Sequence, residues 1–84
     1  MDQTSEHLTK REHEILELIV YGCTTKLIAS KLGISIKTAA AHRANIMSKL
    51  GVHETASLVR KAILSGLVVL QADKQLEGGC ERIH

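Results

Sequence analysis

Between Leu8 and Leu70 the chain is punctuated by glycines at 22, 33, 51 and 66, and in each interval apolar residues recur every three or four positions. That period belongs to amphipathic helices, and intervals this short hold one helix each. The starts are marked as clearly as the stops. Thr9-Lys10-Arg11-Glu12 has capping-box spacing, in which a Thr hydroxyl caps a backbone N–H and the Glu reaches back. Leu8 and the run Ile15, Leu16, Leu18, Ile19 supply the buried stripe of this first helix. Thr24 or Thr25 caps a second, short helix through Leu32, with Leu27, Ile28 and Leu32 at helical spacing. Ser35 caps a third, which runs to Leu50. A fourth begins at Glu54 or Thr55 and passes through Leu58, Val59, Ala62 and Ile63 to about Ser65. There is no Pro and no strand-like alternation of useful length. The expected fold is all-α, a four-helix bundle over residues 8–70, with a flexible N-terminal segment at 1–7 and a flexible tail at 71–84.

Composition narrows the class. A chain of 84 residues makes one domain with a modest core, and with Tyr21 as its only aromatic residue that core is aliphatic. The longest apolar run, Leu67–Leu70, is far short of a membrane span. "MDQTSEHLTKREHE" lacks the apolar run of a signal peptide, so a cytoplasmic protein with no membrane partner is expected. Cys23 and Cys80 stand far apart with no CxxC, and two free thiols are expected. His7, His13, His42, His53 and Cys23 lack the compact spacing of a zinc site. No carboxylate pair, nucleophile–base arrangement or phosphate-binding glycine loop is present. The expectation is a non-enzyme with no metal, cofactor or small-molecule ligand.

The net charge of +2 conceals a segregation. From Leu18 through His53 there is no Asp or Glu, while the same window carries Lys26, Lys31, Lys37, Arg43 and Lys49. The acids lie on either side, at Glu12, Glu14 and Glu17 and then from Glu54 onward. One-signed charge over half a small fold suits a polyanion, and phosphate backbones are the commonest. The link Gly33-Ile34-Ser35 sharpens this: a glycine for the bend, an apolar residue to tuck inward, and a cap for the next helix. A short helix, a three-residue turn and a longer helix make up a helix-turn-helix.

The stretch Leu8–Leu67 resembles the LuxR-type helix-turn-helix domain, also called the GerE or FixJ/NarL type. The resemblance rests on "LTKREHEIL", the Gly22 stop, "TTKLIASKLGIS", Thr38 with His42, "NIMSKLGV" and a last helix ending "GL", in order and over 60 of 84 residues. It implies a four-helix DNA-binding domain of bacterial transcription regulators, closest to those attached to response regulators. It further implies that the third helix enters the major groove and the fourth mediates dimerisation on DNA. The departures are local. Where the family often has Thr-Val-Lys this chain has Thr38-Ala39-Ala40, and an Arg common early in the fourth helix is replaced by Thr55.

Helix geometry at about 100° per residue divides the third helix once Ile46 is set at the centre of the inward face. Ala39, His42, Arg43 and Leu50 fall near Ile46, with Lys49 at the border. His42 is expected to pack, with one ring nitrogen hydrogen-bonded. Lys37, Ala40, Ala41, Ala44 and Ser48 point outward, flanked by Asn45. Base-reading candidates are therefore Lys37, Ala40, Ala41, Ala44, Asn45 and Ser48. Alanine permits close approach and offers methyls to thymine, while Lys37 reaches guanine edges or phosphate. Phosphate-contact candidates are Thr24, Thr25 and Lys26 at a helix N-terminus, with Arg43 and Lys49, whose stems pack while their charges emerge. Leu58, Val59, Ala62 and Ile63 are the dimerisation candidates, for a homodimer on double-stranded DNA. Two functions fit: a sequence-specific DNA-binding transcription regulator or response-regulator output domain, or a dimerising interaction module that has lost tight DNA binding and titrates a related regulator.

Overall fold

Thr9 opens the first helix, α1 (Lys10–Val20): its hydroxyl accepts from the Glu12 N–H at 3.0 Å, and Glu12 Oε1 accepts from the Thr9 N–H at 3.0 Å. This is the reciprocal cap the sequence spacing predicts. The computed structural model describes residues 7–70. The expected segment 1–7 (His7 excepted) and the tail 71–84 lie outside the described residues. Thr24 rather than Thr25 caps α2 (Thr25–Leu32), its hydroxyl accepting from the Leu27 N–H at 3.1 Å. Ser35 caps α3 (Ile36–Leu50), accepting from the Thr38 N–H at 3.0 Å and donating its own proton to the Thr38 hydroxyl at 2.9 Å. Only α4 (Thr55–Leu64) starts without a side-chain cap, on Glu54. The described residues hold four helices and no strand.

The turn between α2 and α3 depends on Gly33, which adopts φ +69°, ψ +35°. In that conformation the Gly33 and Ile34 N–H groups donate to the carbonyls of Ser30 and Ala29, closing the helix end. A side chain there would meet nothing within 4 Å. The cost of replacing it is therefore conformational, about 1–2 kcal/mol. Ile34 packs against the core, as its place in the turn predicts.

Around this turn the helices share one aliphatic core: Ile15, Leu16 and Ile19 from α1, Ile28 and Ala29 from α2, Ala39, Ile46 and Leu50 from α3, and Leu58 and Ala62 from α4. A helix of eight residues such as α2 is unstable alone in water, so its form depends on this packing. Past α4 the chain folds back, burying Val68, and the Leu67 carbonyl accepts from His13 Nε2 at 2.8 Å. Cys23 is buried and is not a free thiol, contrary to expectation. Spacing along the chain does not fix what a folded thiol meets. Cys80 lies outside the described residues.

Glu12 is the one buried charged residue among those described, at 5% exposure. Besides capping α1 it accepts from Lys49 Nζ at 2.7 Å, which joins the start of α1 to the end of α3. Burial pushes its carboxyl pKa up. The Lys49 hydrogen bond and charge, with the Thr9 bonds, outweigh burial and hold it below the ordinary value. A depressed folded pKa stabilises above the unfolded value of about 4.3 and is lost as pH falls through the folded value. In urea unfolding at pH 7, Lys49→Met is expected to cost about 1–3 kcal/mol by stranding the carboxylate. The stability gap between the wild type and Glu12→Gln should narrow from pH 7 to pH 3; an equal gap at both would contradict this role.

Candidate nucleic-acid interface

The local sequence of α3 gives it two unlike sides. Ala39, Ile46 and Leu50 are buried, and Ala39, at 1% exposure, is small enough for the helix to sit closely in the core. Lys37, Ala40, Ala41, Ala44, Asn45 and Ser48 are all exposed, so the six base-reading candidates share one uncovered surface. The alanines divide as helix geometry predicts, one inward and three outward. Apart from Lys37, that face carries no charge, and its side chains are short. The segment from Leu18 to His53 contributes basic side chains and no carboxylate of its own. His42 is half-buried, and its ring makes no hydrogen bond among the described residues, contrary to the expectation of one bonded ring nitrogen.

The phosphate-contact candidates separate into two places. Thr24, Thr25 and Lys26 form the first turn of α2 and its cap, with Thr24 and Lys26 exposed and Thr25 half-buried. Arg43 is half-buried on α3, and its guanidinium donates to the Thr55 hydroxyl at the start of α4. Thr24, Thr25, Arg43 and Thr55 line one open recess together with Ile19, Gly22 and Cys23. Lys49 is elsewhere. Its ammonium is bound to Glu12 and also lies 3.4 Å from the His7 carbonyl, so its charge is paired within the protein. Lys49 is thereby withdrawn from the phosphate set. The link spans 37 positions, and nothing in the local spacing around Lys49 announces it.

The dimerisation set also needs correction. Leu58 and Ala62 are fully buried in the core of their own protomer, because they occupy the inward i, i+4 row of α4. Val59 is half-buried, and Ile63 is exposed beside Leu64, which is 71% exposed. The large apolar side chains that α4 leaves exposed are thus Ile63 and Leu64. Thr55 as a partner for Arg43 was missed by sequence reasoning. Its signal was the departure from the family pattern at that position, which carried no direction.

A helix-turn-helix whose longer helix presents an uncovered face defines a class of nucleic-acid-binding fold. The profile of bacterial regulatory proteins, luxR family, matches residues 6–62, and the chain belongs to that family. The transcriptional regulatory protein MctR of Rhizobium johnstonii is 47% identical over 68 residues, covering 81% of this chain and 32% of MctR. The transcriptional regulatory protein FixJ of Azorhizobium caulinodans is 43% identical over 60 residues, covering 71% of this chain and 28% of FixJ. The chain spans less than half the length of the curated relatives it matches. The solved structure of the transcription factor GerE superposes with a TM-score of 0.70 at 38% identity, over 76% of this chain and 96% of that one. The Vibrio cholerae VqmA dimer, described as a LuxR-type receptor with a target DNA, gives 0.70 at 35% identity, over 81% of this chain and 33% of that one.

The two kinds of alanine on α3 are separable by substitution. Ala39→Leu forces extra volume into a packed contact and is expected to cost about 1–3 kcal/mol. Ala40→Leu, on the exposed face, should change stability by less than about 0.5 kcal/mol. Chemical denaturation of both variants checks the division, and equal losses would refute it.

Proposed function

We propose that this chain is the DNA-binding part of a sequence-specific transcription regulator, as in the output domain of a response regulator, with α3 lying in the major groove of double-stranded DNA. The observation that carries the reading is the outer face of α3, where Lys37, Ala40, Ala41, Ala44, Asn45 and Ser48 are exposed together and nothing from the protein's own described fold covers them. Short side chains bring the helix backbone close to the base edges. The alanine methyls meet thymine methyls, Lys37 addresses guanine or a phosphate, and Asn45 and Ser48 hydrogen-bond. Specificity beyond these groups comes from DNA shape and bridging water. Thr24, Thr25, Lys26 and Arg43 hold the sugar-phosphate backbone, supported by the positive end of the α2 dipole.

Two copies related by a two-fold axis read two half-sites, with Ile63 and Leu64 of α4 and the edge of Val59 as the contact between them. That VqmA is a dimer supports a two-copy assembly. The chemistry required is binding alone. Among the described residues no cluster of His, Cys, Asp or Glu is suited to a metal, and no helix is long and apolar enough to cross a membrane. A regulator of this kind acts in the bacterial cytoplasm, on the nucleoid when bound.

Binding to a duplex selected from a random library, and to its scrambled counterpart, measured across a salt series, tests the reading. Preference for the selected duplex with a steep negative log–log slope is expected. No duplex binding at low salt would sink it and leave the interaction-module reading. Lys26→Ala should weaken binding to both duplexes alike. Lys37→Ala should also relax preference at one base pair, by roughly 1–3 kcal/mol if its contact is to a base edge; equal loss on every duplex would remove it from the reading set.

A further inference from the structure

We propose that Thr55 is a positioning residue for DNA binding: its hydroxyl holds the Arg43 guanidinium over the recess between the starts of α2 and α4, where the remaining N–H groups meet one backbone phosphate. The inference rests on the DNA-binding reading above and adds to it the residue that aims the cation. Arg43 leaves α3 on the flank between its buried and exposed sides and is half-buried. Left to itself, a long flexible side chain at such a border samples many rotamers, and ordering it costs entropy on binding. The Thr55 hydroxyl removes part of that freedom beforehand by accepting from Arg43 across 12 positions of chain.

The surroundings favour an anion over a second protein partner for the guanidinium. A guanidinium has five N–H donors and no acceptor, and the Thr55 hydroxyl is its one hydrogen-bond acceptor among the described residues. No ion pair to Arg43 occurs among them. Thr24 and Thr25 line the same recess. Thr55 is the first residue of α4, a helix that begins without a side-chain cap. Residues at the starts of α2 and α4 and a guanidinium-bearing side chain thus line one open volume. A phosphate oxygen satisfies these donors together, and the forked geometry of Arg suits it better than a point charge would.

The test reads binding of a fluorescently labelled 20-base-pair duplex across a salt series, with unfolding of every variant measured in parallel. Arg43→Ala should weaken binding and flatten the log–log slope by about 0.9, the value for one phosphate. Thr55→Val keeps the shape at the start of α4 and removes the acceptor; it should weaken binding roughly three- to tenfold, corresponding to about 0.7–1.4 kcal/mol. Thr55→Ser should restore wild-type binding. The double variant should bind no more weakly than Arg43→Ala alone, because Thr55 acts through Arg43. Wild-type binding by Thr55→Val, failure of Thr55→Ser to restore it, or additive losses in the double variant would each overturn the proposal while leaving DNA binding intact. A wild-type chain that binds no duplex at low salt overturns the parent reading and this one with it.

Discussion

The Glu12 carboxylate is the single buried charge among the described residues, and the placement of α3 depends on how it is neutralised. Thr9 uses it to start α1, and Lys49 uses it to anchor the last turn of α3. At the other end of α3 the anchor is steric: Ala39 lets the helix settle into the core, and the Gly33 turn delivers it there. A charge lock at one end and a close contact at the other fix both the tilt and the rotation of α3. The outer face is exposed because the inner one is held twice.

The family likeness and the burial pattern together explain why a helix with so plain an outer face is suited to recognition. A stripe of alanines has high helix propensity, so α3 stays rigid without long side chains to brace it. Rigid and narrow is what a groove accepts. The basic groups stand to the sides of that face, on α2 and at Arg43, the places from which the proposed complex would take its backbone contacts. In the proposed complex, affinity and discrimination fall to different elements of one small fold.

Much of this was legible in the sequence because the signals are local. Caps at Thr9 and Ser35, stops at Gly33 and Gly51, and the direction of each α3 residue all follow from spacing within a few positions. What escaped was tertiary. Lys49 carries the same charge as Lys37, and only the meeting of the ends of α1 and α3 shows that one is neutralised and the other free to act. Leu58 and Ala62 have the same apolar character as Ile63 and Leu64, so periodicity gave an apolar helix without saying which side the core claims. Thr55 drew notice as a departure from pattern, and its value lies in an arginine twelve residues away.

Gly33 and Gly51 take nearly the same left-handed conformation, at φ +69° each, and they close the chain on either side of α3. Their fixed places give the helix a definite length. From Lys37 to Ser48 the outer face runs about 16 Å at 1.5 Å per residue, roughly five base pairs at 3.4 Å each. One copy therefore acts as a short ruler, unable to survey more sequence than that with α3 alone. Under the proposed two-copy arrangement a longer operator would be read by repetition, with the spacing between copies carrying information of its own.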